Sequence, residues 1–167
     1  DSDDLSALKT GSMRVQVTEL AQKDVWQSDL ITDKNKTDTV NAGIITINGK
    51  DIDTNGKSYS DVVKEINKID GVQASLVENS AGEFRLSIKS TETGAANKIN
   101  FNTKDTSGND LGVSVGAAKL FGDGSILNDD LNVLKAQDME LTADGVNYSS
   151  SSNTVTIDGL KITATKE

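Results

Sequence analysis

Two adjacent carboxylate pairs, Asp3-Asp4 and Asp129-Asp130, are the residues of this sequence best suited to chemistry. A pair of carboxyl groups can divide the roles of general acid and general base, as in glycoside hydrolysis. Both pairs lie in polar, loop-like stretches, whereas a sugar-cleaving site is normally walled by stacking aromatics. The chain has one Trp and two Tyr. Histidine and cysteine are absent altogether, which removes Ser-His-Asp triads, thiol nucleophiles and the common metal clusters. Asp33, Asn35 and Thr37 have the alternate spacing of a calcium loop but lack its sixth-position glycine and terminal glutamate. Gly108, Gly112, Gly116, Gly122 and Gly124 lack the spacing of a phosphate or dinucleotide loop. The sequence therefore predicts no catalytic residues, no cofactor and no metal site, and a protein that is not an enzyme.

Two further positions invite a binding role. Trp26, the single tryptophan, could be a ligand platform, but a lone aromatic beside a strand is more often a core or hinge plug. The run Ser149 to Ser152 could be a modification site or a sugar contact, and a hairpin turn of small polar residues explains it equally well.

Composition narrows the class of partner. Lys plus Arg number 17 against 26 Asp plus Glu, a formal net charge of −9. That excess repels a phosphate backbone, and no local basic patch overrides it, so neither nucleic acid nor membrane is an expected partner. No apolar run approaches the length of a membrane span and no basic-then-apolar leader is present. The chain starts at Asp1 rather than Met, which is expected of a piece of something longer. With 35% hydrophobic and 4% aromatic residues, thin two-layer units fit better than one thick core.

The elements that would hold these residues can be read from periodicity. Met13, Val15 and Val17 alternate with Arg14, Gln16 and Thr18, predicting a strand. The tail predicts strands at 141–143, 146–148, 154–157 and 160–163, with Asp144-Gly145 and Asp158-Gly159 as hairpin turns. Such a tail cannot cover its own apolar face, and its best partner is the first strand. Pairing of the two ends makes the middle an insertion. That insertion holds a hairpin around Asn48-Gly49 and a helix with Tyr59, Val62, Val63, Ile66 and Ile69 on one face. A second hairpin follows, with Val72, Ala74, Leu76 against Phe84, Leu86, Ile88, and then a short strand at Ile99 and Phe101. The glycine-rich stretch 103–132 is expected to be a mobile connector with short apolar anchors such as Val113, Val115, Leu120 and Phe121. The expected fold is α+β, mainly β. A discontinuous antiparallel β domain (1–40 and 131–167) is interrupted by a strand-helix-strand domain (41–130).

Several of these segments resemble a known family. Residues 11–22, GSMRVQVTELAQ, are similar to the start of the head in flagellar filament cap proteins (hook-associated protein 2). The tail motifs Asp144-Gly145-Val146, Ser151-Ser152-Asn153-Thr154 and Gly159-Leu160-Lys161-Ile162 are similar to that family's closing pattern. Residues 60–67, 71–77 and 85–94 fall in the family's order between them. The resemblance implies a structural role: an extracellular cap at the flagellar tip, assembled as a ring of subunits, under whose head plate exported flagellin folds and polymerises. It implies helical legs that this sequence lacks, and so a head alone. An acidic, poorly adhesive plate would let the flagellin client leave, and a tip position would put the heads within reach of host mucins. The alternatives are an outer domain of hook or flagellin and a bacterial surface adhesin module.

Overall fold

A computed structural model describes residues 13–32 and 39–165. The Asp3-Asp4 pair and the Asp33, Asn35, Thr37 spacing lie outside the described residues.

The two ends of the chain do meet. β1 (Val15–Glu19) pairs antiparallel with β10 (Met139–Ala143), which pairs in turn with β11 (Val146–Ser150), in the order β1-β10-β11. Arg14 N donates to Asp144 Oδ1 at 3.0 Å, and Asp144 N donates back to Arg14 O at 2.9 Å. The tail is not a single layer, however. β12 (Thr154–Ile157) and β13 (Leu160–Thr163) form their own two-stranded sheet. This hairpin supplies Ile157, Val155 and Ile162 to a small core with Ala21, Met139, Leu141 and Ala143. Asp144-Gly145 and Asp158-Gly159 have φ of 50°, 80°, 51° and 78°, the pair of left-handed residues that a type I′ hairpin needs.

A larger unit fills the middle of the chain. Its sheet runs β5-β6-β2-β9, from β5 (Val72–Glu78), β6 (Phe84–Ser90), β2 (Val25–Gln27) and β9 (Asn132–Leu134). Helix α1 (Tyr59–Ile66) packs on β5 with Val62 and Ile66 fully buried, as its periodicity predicts. Ser58 caps it by accepting from Asp61 N at 3.1 Å. The outer side of β5 is occupied at one point by a side chain. Asn67 Oδ1 accepts from Ala74 N at 2.7 Å while its Nδ2 donates to Ala74 O at 3.1 Å.

Two expectations need correction. The stretch 103–132 is no mobile connector. It contributes β7 (Asn102–Lys104), β8 (Asp110–Val113) and helix α2 (Val115–Leu120), and it buries Ala117, Ala118 and Phe121. Its small residues serve close packing: a Cβ on Gly116 would stand 2.8 Å from the backbone of Ile44. Of the expected anchors, Phe121 is in the core whereas Val115 is exposed. Ile99 and Phe101 are buried but precede β7 rather than forming a strand. Trp26, Val40 and Leu131 pack in the larger core. The strands that cross over, β2 and β9, are three residues each, too short for alternation to register.

Candidate functional surface

The joint between the two units is the most heavily constrained feature outside the cores. Gln22 and Gln137 form a two-way backbone bridge, with N···O distances of 2.9 and 3.3 Å. The loop after β6 then reaches across. Thr93 Oγ1 donates to Ser151 O at 2.7 Å, Gly94 N to Gln22 O at 3.1 Å, and Ala95 N to Asp138 Oδ1 at 2.9 Å. Gly94 has φ of 111°, and a Cβ there would meet Ser151 at 2.9 Å, so both its conformation and its neighbour require glycine. Thr93 and Gly94 close the 85–94 segment that carries the family resemblance, but the sequence assigns them no contact role; the glycine after a strand was the available signal.

Asp24, 1% exposed, organises the large-unit side of this joint. Its Oδ2 accepts from Ile99 N at 2.7 Å, and its Oδ1 from Asn132 Nδ2 at 2.9 Å and Ala136 N at 3.3 Å. Asp24 N donates to Ser90 Oγ, and Ser90 N donates to Asp24 O. One carboxylate thus ties together the outgoing strand β2, the loop before β7 and the returning segment after β9. A polar side chain buried this deeply needs hydrogen-bond partners, and these three donors supply them.

The residues singled out for chemistry are placed differently. Asp129 and Asp130 are exposed in a single 3₁₀ turn (Asp129–Leu131), capped by Asn128 Oδ1 accepting from Asp130 N at 3.0 Å. Asp129 lies beside a cleft of about 350 Å³ that also touches Trp26, Lys98 and Asn132. Trp26 is 3% exposed and meets Phe101 and Phe121 edge-on at 5.5 and 6.2 Å. It is a core plug, not an open platform. Its indole Nε1 is buried without a hydrogen-bond partner. The serine run is a turn and docking point. Ser150 Oγ and Ser152 Oγ both donate to Thr154 O, and Ser151 O takes the bond from Thr93.

Carboxylates with displaced titration lie in loops. Asp105 is held below the usual aspartate range chiefly by the backbone N–H and side chain of Asn109. Asp110 is lowered by the Asn102 side chain and the Gly112 N–H, and Asp123 by the N–H groups of Ile126 and Ser125. Each stabilises its charged form by capping a local turn, which anchors a loop rather than transferring a proton. Among the described residues, no three His, Cys, Asp or Glu side chains converge as a metal site. Nor is any helix there long and apolar enough to cross a membrane.

What this geometry defines is a structural β module: two cores, a stitched joint and polar surfaces. Similarity to known proteins makes the class specific. The sequence is 30% identical over 195 aligned positions to the flagellar hook-associated protein 2 of Campylobacter jejuni, covering 96% of this chain and 30% of that protein. The fold matches the D1-D2-D3 domains of the flagellar cap protein FliD from Escherichia coli with a TM-score of 0.65 and 26% identity, over 87% of this chain and 42% of that one. It matches the D2-D3 domains of the Serratia marcescens cap protein with a TM-score of 0.69 and 21% identity, over 94% and 87%. No protein-family model matches. The chain belongs to the FliD, or hook-associated protein 2, family and is a piece of its head region. It spans about a third of the curated relative's length.

Proposed function

We propose that this chain is the head of a filament cap, located outside the cell at the distal tip of the bacterial flagellum. Its work is mechanical: a stiff β plate beneath which exported flagellin folds and joins the filament. The observation that carries this reading is likeness to hook-associated protein 2 running through 96% of the chain rather than through one motif. The stitched joint supports it, because a plate that resists an arriving polypeptide needs two units fixed at one angle. We read the small core (13–22 with 137–165) as a discontinuous domain and the large core (24–135) as the domain inserted in it, counterparts of D2 and D3. In the parent protein the heads would sit in a ring over flagellin, with no catalytic role. The test is complementation. A parent protein carrying this head should restore filament growth to a strain lacking its cap, and flagellin shed as monomers into the medium would count against the reading.

A further inference from the structure

We propose that the cleft beside Trp26 and the acidic cleft adjoining it together bind an extended basic peptide, with a peptide carbonyl accepting from the indole Nε1–H. An indole carries one donor and no acceptor. In Trp26 that donor is the one buried side-chain N or O atom without a hydrogen-bond partner among the described residues, and buried donors are nearly always satisfied. The edge-on contacts with Phe101 and Phe121 offer it nothing better than an aromatic ring, a weak acceptor. The cluster packed around the ring is hydrophobic, so an acceptor has to come from the cleft of about 350 Å³ that Trp26 helps to wall. The cleft's own amide oxygens are already engaged. Asn100 Oδ1 accepts from Asn102 N at 2.7 Å, and Asn132 Oδ1 accepts from Lys135 Nζ at 3.3 Å.

The neighbouring surface chooses the occupant. A second cleft, of about 520 Å³, shares Leu127 and Asp129 with the first and adds Asp29, Asp123 and Ile126. Across the two clefts three carboxylates, Asp29, Asp123 and Asp129, stand against one ammonium, Lys98. Ile126, 65% exposed, supplies an apolar contact. The loop that carries these groups is pinned. Asp123 Oδ1 accepts from Ser125 N at 2.8 Å and from Ile126 N at 3.0 Å, and Asn128 N donates to Phe121 O at 2.8 Å. A surface fixed in this way loses little freedom on binding. The charge selects a cation and repels nucleic acid and acidic segments. A divalent ion does not fit, because these carboxylates do not converge on one point, whereas separated acids suit the long side chains of Lys and Arg. A simple amine would leave the indole N–H unanswered. An extended peptide supplies backbone carbonyls for Nε1, cations on alternate residues for the carboxylates, and apolar residues between them for Ile126.

Trp26 is the single tryptophan, so its indole N–H gives one resonance to follow. Titrating the 167-residue chain with the blocked hexapeptide acetyl-LRLRLR-amide should shift that resonance saturably and slow its exchange with solvent. The acidic counterpart acetyl-LELELE-amide should do neither. Replacing two carboxylates together, Asp29→Asn with Asp129→Asn, should weaken the basic peptide about three- to tenfold by calorimetry. Trp26→Phe keeps a ring in the core and removes the donor, and should weaken it about fivefold. If circular dichroism shows that this last variant unfolds, the indole resonance of the unaltered chain decides the matter. Equal binding of the two peptides would overturn the proposal, as would full affinity in the double Asn variant. Binding that leaves the indole resonance unmoved would also overturn it, placing the peptide elsewhere on the acidic surface. None of these outcomes depends on filament growth, so this proposal and the cap reading fail separately.

Discussion

The two units are built from the same kinds of strands and turns, yet their cores differ in size and content. The larger buries thirteen side chains in a single cluster, among them Trp26, Phe101 and Phe121, with Phe101 and Phe121 stacked at 5.4 Å. The smaller buries five, none aromatic, beneath a hairpin that leaves valines at its rim. Below about 40 residues a fold generally needs outside support, and the small unit, made of 13–22 and 137–165, stands at that limit. Its support comes from the joint with its neighbour. The contrast teaches that the smaller core leans on the larger one through the bonds of the joint.

Mutations can break this comparison. The largest effect is expected from core truncation: Phe121→Ala should cost about 3–5 kcal/mol in the large unit, and Leu141→Ala about 2–4 kcal/mol in the small one. Urea titration followed by separate probes in each unit should then show the small unit of Leu141→Ala unfolding first. Coincident transitions in that variant would mean that the two cores are one cooperative body. A smaller loss, about 1–3 kcal/mol, is expected for Asp24→Ala, which leaves the buried Ile99 N–H without its acceptor and removes two part-buried bonds, from Asn132 Nδ2 and Ala136 N. That variant should widen the spread of inter-unit orientations in X-ray scattering, and an unchanged profile would show that the Gln22–Gln137 and Thr93–Ser151 bonds suffice.

The mildest effect sharpens the contrast through pH. Asp105, Asp110 and Asp123, all in the large unit, have folded values below the ordinary 3.8. A depressed carboxylate favours the folded loop above the unfolded value, and that contribution disappears as pH falls through the folded value. The amide resonances of Asn109, Gly112 and Ile126 should therefore hold steady from neutral pH down to about 5 and titrate only below 3.8. A midpoint near neutrality would assign their bonds to something other than these carboxylates.

Much of this was legible beforehand where local rules suffice. The Asp-Gly hairpins, the apolar face of α1 and the β5–β6 alternation each reflect interactions between near neighbours. Pairing of β1 with β10 was also foreseeable, because neither end could cover itself. Small residues misled. Gly116, Ala117 and Ala118 suggest a loose connector by composition, but they form the helix that must approach the backbone of Ile44. Composition cannot separate smallness that permits motion from smallness that permits contact. The functional surface was the least legible. Thr93, Gly94 and Ser151 matter through bonds between residues distant in sequence, and Asp24 looks like any solvated acid until its three donors are seen around it.

The clasp that Asn67 makes on Ala74 has a consequence for the exposed edge of the larger sheet. A primary amide there imitates one residue of an incoming ribbon and interrupts the row of backbone sites along that edge. An exposed edge strand blocked in this way is a poorer template for edge-to-edge pairing with another chain.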